Sequence, residues 1–502
     1  MSRTARTSDL MWPRLFRRFE GRSATLQGQL RDMLVHGVME GFLQPSTPLP
    51  SSRLLASTLG LSRTTVTLTF QALADTGILV SRPRSGYFVS DDVRTADLGA
   101  QSPPGETTAP TGDRWRRRLK MTPSAQRNIE KPGDWQAQPY PLVYGQFDAK
   151  LFPFRDWRRC VLESLEARSV RRWAPDHIDR DDDSLIEQVH QRLLPARGIW
   201  AARDQILITS GAQQGLFLLS QLLVGARTSV GIESPGYPDA RNNFSLRTRH
   251  VRDLRVDAGG LVVGSELSGC DYVFVTPSHQ CPTTVTMPID RRKALLASAE
   301  RNDFIIIEDD HESELNFSGL PTPALKSLDV ANRVLYLGSL SKTLAHGLRL
   351  GFMVAPADLI RELRALRRLM MRHVSSNNQQ AAANFIAHGF HETYVRRLIA
   401  CYRDRARTLR QALADHAPQL DPAVSLGGSA LWVTGPKGLD TRELARRLYD
   451  QGVVVESGDV FYPVSPRPVT QMRIGYSSIS ADRIELGVKV IARELTQLLG
   501  AR

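Results

Sequence analysis

The chain has 502 residues, more than one hydrophobic core usually organises, so at least two domains are expected. With 41% apolar and 23% charged residues it has the composition of a folded soluble protein, which excludes wholesale disorder. A formal charge of +13 points to a polyanionic partner, and residues 1–90 concentrate it, with eleven Arg and no Lys against five acidic residues.

The N-terminal stretch carries Arg3, Arg6, Arg14, Arg17 and Arg18 but no apolar run of signal-peptide length. No window approaches a membrane span, so a cytoplasmic protein without a membrane partner is expected. Cys160, Cys270, Cys281 and Cys401 are scattered with no CxxC pair, which argues against a disulfide framework or a metal site.

From Thr25 the spacing of Leu26, Leu30, Met33, Leu34, Val38 and Met39 predicts a helix with one buried stripe. Ser51 and Ser52 offer an N-cap for a second helix over 54–59, stopped by Gly60, and Ser62 caps a third over 63–75, stopped by Gly77. Residues 78–80 and 86–89 read as a hairpin with Arg82 to Ser85 at its tip, completing a winged helix-turn-helix over residues 1–90. In that arrangement the third helix enters the major groove, so Arg63, Thr64, Thr65 and Thr67 face the bases. Arg53 would hold the phosphate backbone, and Arg84 would reach the minor groove. Val66, Phe70 and Leu73 read as core. The string LPSSRLLASTLGLSRTTVTLTFQALADTGILVSRPRSGYFV, residues 49–89, closely resembles the winged helix of the GntR family, which implies binding to double-stranded DNA. It departs at Arg84 and Ser85, where many relatives carry more glycine.

Residues 91–140 are rich in Pro, Thr and Gly and then in Arg, and read as a flexible basic linker. From residue 141 to 502, apolar strands at 205–209, 228–232, 272–276, 304–308 and 334–337 alternate with helical stretches. That is the pattern of a large α/β domain with a mostly parallel sheet. A long Arg/Leu-rich helix after Pro356 should lead into a small C-terminal α+β lobe.

Four elements of this half match what pyridoxal 5'-phosphate requires of a protein. Lys342, in GSLSKTLAHGLRLG, follows a strand and a polar turn, as a lysine joined to the cofactor would. Asp309, in FIIIEDDHESE, ends a buried strand, where a protonated pyridine nitrogen would neutralise it. Chemistry alone leaves the choice among Glu308, Asp309 and Asp310 open. TSGAQQ makes a glycine turn before a helix, suited to phosphate, and Ser339, Ser341 and Arg349 would complete that cup. Tyr237, in ESPGYP, could stack on the ring.

The ordered motifs TSGAQQGL, ESPGYP, TPSHQCP, EDDHESE, SLSK, GLRLG and MRIGY resemble fold-type I aminotransferases. Joined to the winged helix, they resemble specifically the MocR subgroup of GntR regulators. The resemblance implies that Lys342 carries the Schiff base, Asp309 meets the pyridine nitrogen, and Arg349, Ala212 and Gln213 lie at the phosphate. It also implies that Tyr237 flanks the ring, that His279 and Gln280 approach the O3′ side, and that Arg473 holds the acid group of a ligand. A transcriptional regulator that senses a small amino compound through an external aldimine is the implied function. The alternative is a working aminotransferase with an appended DNA-binding domain. The resemblance further implies a homodimer, and the long linker would suit a domain-swapped one. Three departures stand out: His311 where relatives usually have tyrosine, Thr284 in place of a common glycine, and Asp181, Asp182 and Asp183 in a loop expected to border the ligand site.

Overall fold

Side-chain caps set the register of the N-terminal helices. In the computed structural model, which describes residues 11–500 except 20, 22, 24, 84, 92–114, 147, 318–321 and 465–468, Thr25, Ser51 and Ser62 each accept a hydrogen bond from the first turn that follows. The helices span Leu26–Met39, Ser52–Leu59 and Arg63–Asp75, and Gly60 ends the second in the left-handed conformation that favours glycine. Antiparallel strands Leu79–Arg82 and Gly86–Val89 form the wing. Arg84 and residues 92–114 of the expected linker lie outside the described residues.

Leu30, Met33, Leu34, Val66, Phe70 and Leu73 meet in one core. The predicted stripe is too long at both ends, because Leu26 and Met39 are 55% and 68% exposed. A further helix, Met11–Arg17, lies in the stretch whose sequence showed only its arginines; it buries Trp12 and Phe16 in the same core.

Two units divide the chain, Met1–Leu119 and Lys120–Arg502. Composition put the end of the linker at residue 140, yet residues 120–140 belong to the second unit. Gln126 and Arg127 bond to its surface, and Tyr140–Pro141 pairs with Val453–Val454. Polar side chains that bond to a folded surface look, in sequence, like those of a solvated tether.

The second unit is built on an eight-stranded sheet among the described residues, in the order Ile206–Thr209, Gly351–Val354, Val334–Ser339, Ile305–Asp309, Tyr272–Val275, Val230–Ser234, Val251–Asp257 and Gly260–Leu261. The inner strands are parallel; Gly351–Val354 and the short Gly260–Leu261 run antiparallel to their neighbours. Every residue of Ile206–Thr209 is buried, as a strand covered on both faces requires. After the helix Ala357–Met371, a four-stranded sheet of Asp421–Pro422, Ala430–Thr434, Gln471–Gly475 and Glu456–Ser457 packs with the helices Phe390–His416 and Ala481–Gly500. Among the described residues no helix is long and apolar enough to cross a membrane.

Asp181, expected in a ligand-bordering loop, is a structural anchor. Its carboxylate, 0% exposed, receives Arg364 at 2.5 Å and Arg367 at 2.6 Å and also the backbone N–H of Ile208, pinning the helix Ala357–Met371 to the edge of the sheet. Asp182 caps the helix Asp183–Gln188 by accepting from the N–H of Leu185. None of the three lines the cavity described next.

Candidate functional site

Parallel strands leave a crevice beyond their carboxyl ends, and here the turns after five strands converge on a cavity of about 270 Å³. Ala212, Gln213, Tyr237, Asp309, His311, Ser339, Ser341, Lys342, Arg349 and Arg473 line it, together with Ile129, Tyr144, Leu216, Asp239, Cys281 and His346. His279 and Gln280 are not in that wall. The Gln280 amide donates to Glu233, Pro235 and Cys281 and accepts from Thr283, so its hydrogen-bonding capacity is spent in the fold. His279 is buried behind the wall, with Glu312 nearby.

One corner is built for an anion. Gly211, at φ +78°, turns the chain into the helix Ala212–Leu223, which starts without a side-chain cap, so its first N–H groups and its dipole face the cavity. A Cβ on Gly211 would lie 2.8 Å from Arg349 Nη2, and Arg349 donates to the carbonyl of Ser210 at 3.3 Å. Gly211→Ala is therefore expected to strain the turn, displace that guanidinium and weaken phosphate-ester binding about tenfold, measurable by titration with pyridoxal phosphate.

The three adjacent acids take different roles. Glu308 accepts the N–H groups of Leu325 and Lys326 at 2.7 and 2.8 Å. Asp310 is enclosed by Arg197, Ser278 and Tyr336; burial pushes its carboxyl up, but the Arg197 charge and these donors outweigh it and hold it at about 2. Asp309 alone faces the cavity. Burial and then the Asp310 charge raise it to about 7, and its Oδ1 is buried with no hydrogen-bond partner. A cationic ring nitrogen is the partner that such an oxygen fits.

Lys342 stands over the Tyr144 ring, with Nζ 4.4 Å from the centroid. Burial lowers its pKa, partly offset by Glu312, which enriches the free amine able to attack a carbonyl. His311 Nδ1 lies 3.9 Å from Asp309 Oδ1. Burial, opposed by Glu312 and aided by Lys342, pushes this imidazole down to about 4, so it is neutral and offers one N–H where relatives place a hydroxyl. Tyr237 donates to Asp239 at 3.0 Å. The Ser341 hydroxyl is buried and unpartnered, which also suits a polar ligand. Thr284 sits at φ +63°, a conformation that favours glycine.

Arg473 differs from the expectation of a free anion receptor. Its Nε donates to Glu456 Oε2 at 2.6 Å, and its guanidinium lies 3.8 Å from the Tyr144 ring centroid. Sequence reading missed Tyr144, Glu456 and Lys131; the YGQ turn after an apolar strand was the one available signal for Tyr144.

In the first unit, Arg53, Arg63 and Thr64 are exposed. Thr65 and Thr67 are partly buried, the first hydrogen-bonded to Ser62 Oγ at 2.8 Å and the second donating to the Arg63 carbonyl at 2.9 Å.

A winged helix and an aminotransferase fold on one chain define a helix-turn-helix regulator with an aminotransferase-like domain. Residues 26–89 match the bacterial regulatory proteins of the gntR family, and residues 146–491 match aminotransferase class I and II. The chain belongs to the MocR-type regulators of the GntR family. It is 39% identical to the HTH-type transcriptional regulator TauR of Rhodobacter capsulatus, over 95% of this chain and 97% of that one. It is 30% identical to the probable rhizopine catabolism regulatory protein MocR of Rhizobium meliloti, over 92% of each. Among solved structures, the Pyrococcus horikoshii kynurenine aminotransferase superposes with a TM-score of 0.68 at 27% identity, covering 78% of this chain and 99% of that one.

Proposed function

We propose that this regulator holds pyridoxal 5'-phosphate in the cavity and uses it to detect a small amino compound, changing its grip on operator DNA. The observation that carries the reading is the convergence in one cavity of Lys342, the Asp309 carboxylate with its unpartnered Oδ1, the uncapped helix with Arg349, and Arg473. When bound, the cofactor supplies an aldehyde that condenses reversibly with amines and a ring that withdraws electrons. Lys342 would hold it, Asp309 would neutralise its ring nitrogen, and Ala212, Gln213, Ser339, Ser341 and Arg349 would take its phosphate. Tyr237 and His311 would flank the ring, and Arg473 would orient the acid group of an incoming amine that takes the place of Lys342.

Arg53 and Arg63 would grip DNA phosphates, with Thr64 and Thr65 at the base edges and Thr67 behind them. Because regulators of this kind read paired half-sites, a homodimer is the working assembly in this proposal, and exchange of winged helices between protomers would suit the tether.

The test is the absorption spectrum of the full chain with pyridoxal phosphate, followed during titration with amines while promoter DNA binding is measured in parallel. Wild type should develop a visible-edge band that Lys342→Ala lacks, and an amine that shifts the band should shift DNA affinity in wild type alone. Sustained release of a keto acid would instead favour a working aminotransferase, and no band in wild type would overturn the cofactor reading.

A further inference from the structure

The acid-binding end of the cavity is charge-balanced by the protein itself. Arg473 and Glu456 are register partners on antiparallel strands, and their side chains are 1% and 6% exposed. Tyr144 and Phe461 hold the guanidinium between their rings, with centroids 3.8 and 4.7 Å away, so it cannot swing off its carboxylate. An acid group drawn to Arg473 therefore meets the Glu456 charge beside it, and at this depth the two opposite charges nearly cancel for a newcomer. Arg473 Nη2 lies 2.6 Å from Glu456 Oε2, while Glu456 Oε1 is left buried without a hydrogen bond.

A third charge breaks the balance. Lys131 Nζ lies 3.6 Å from Glu456 Oε1, and its side chain keeps 24% exposure. It belongs to a strap at residues 126–131 whose Ile129 lines the cavity. Gln126 donates to the carbonyl of Asn242 at 3.0 Å, and Arg127 donates to the Tyr462 carbonyl and the Asp459 carboxylate, each at 3.0 Å. These bonds fix the strap across the cavity and keep the ammonium near the acid-binding end.

We propose that Lys131 is the second cation of the effector's acid site, with Glu456 as the residue that sets its specificity. On this view, which rests on the cavity being the effector site, Arg473 marks the acid end of the cavity and Lys131 supplies the unbalanced charge. The ligand class is an amine bearing a fully ionised acid, carboxylate or sulfonate; a neutral amine gains nothing from this end. Lys131 is a specificity residue rather than a cofactor-holding one.

The test uses the full chain loaded with pyridoxal phosphate. Propionate and methanesulfonate, acids that carry no amine, are titrated calorimetrically, and β-alanine and propylamine are titrated by spectrum. Lys131→Met should weaken both acids about tenfold, Lys131→Arg should restore most of the loss, and Glu456→Gln should strengthen them. β-Alanine should follow the acids while propylamine responds equally in all variants. Equal propionate binding by wild type and Lys131→Met, or no binding by wild type, overturns the inference. If the acids behave as expected and neither amine alters the spectrum, the acid site stands and the amine-sensing reading falls.

Discussion

Asp309→Asn is expected to lower affinity for pyridoxal phosphate about a hundredfold and, in the cofactor-free protein, to raise stability at alkaline pH. Both effects come from one carboxylate. Burial and the neighbouring Asp310 charge raise it from 3.8 to about 7, so the folded protein keeps a proton there that the unfolded chain has already released. A raised acid favours the folded state least once pH exceeds its folded value; stability is lost as pH climbs from about 4 to about 7, by at most about 4 kcal/mol. Asparagine has no charge to bury, so melting temperatures of the cofactor-free variant should decline less steeply over that range than those of wild type, the remaining slope coming from the other raised carboxyls, Glu233 and Glu314. A protonated ring nitrogen would repair the same deficit in wild type, so added cofactor should narrow the difference. Unchanged affinity in the variant would mean that another group meets the ring nitrogen.

The second large effect concerns stability alone. Asp181→Ala removes the single carboxylate that serves both Arg364 and Arg367, the latter 0% exposed. Two cations, one without access to water, would be left uncompensated, and breaking such a buried pair costs about 3–5 kcal/mol. Denaturant unfolding of the second unit should shift to a clearly lower midpoint. Adding Arg367→Met should recover part of the loss, because the stranded charge is then gone. A midpoint within error of wild type would refute the anchoring role.

Local signals carried the reading of the fold a long way. Caps at Ser51 and Ser62, stops at Gly60 and Gly77 and the continuous apolar runs before Thr209 and Asp309 belong to neighbouring residues, and the elements lie within a few residues of their expected positions. The strand Val251–Asp257 escaped because its sequence VRDLRVD is mostly polar, with only Leu254 buried. The helix Met11–Arg17 escaped because Trp12 and Phe16 are too few to stand out among arginines until their partners are known.

The cavity was legible where residues follow a strand directly, as at Ala212, Asp309 and Lys342. Pairs made across the fold were invisible. Nothing near Arg473 in sequence says that Glu456 will be its strand partner, and nothing near Lys131 says that its strap will lie over the cavity. The choice among Glu308, Asp309 and Asp310 needed alternation of strand faces together with the positions of Leu325 and Arg197.

One cavity residue bears on how this protein meets oxidants. Cys281 lies in the wall, and burial, eased by Arg473 and reinforced by Glu233, pushes its thiol up to about 12. Near neutral pH the thiol then stays protonated, and the thiolate is the form that reacts with peroxides, alkylating agents and aldehydes. On the proposed reading, a sulfur atom could thus sit beside the cofactor's aldehyde without trapping it, and Cys281 would leave the response to amines unchanged by peroxide.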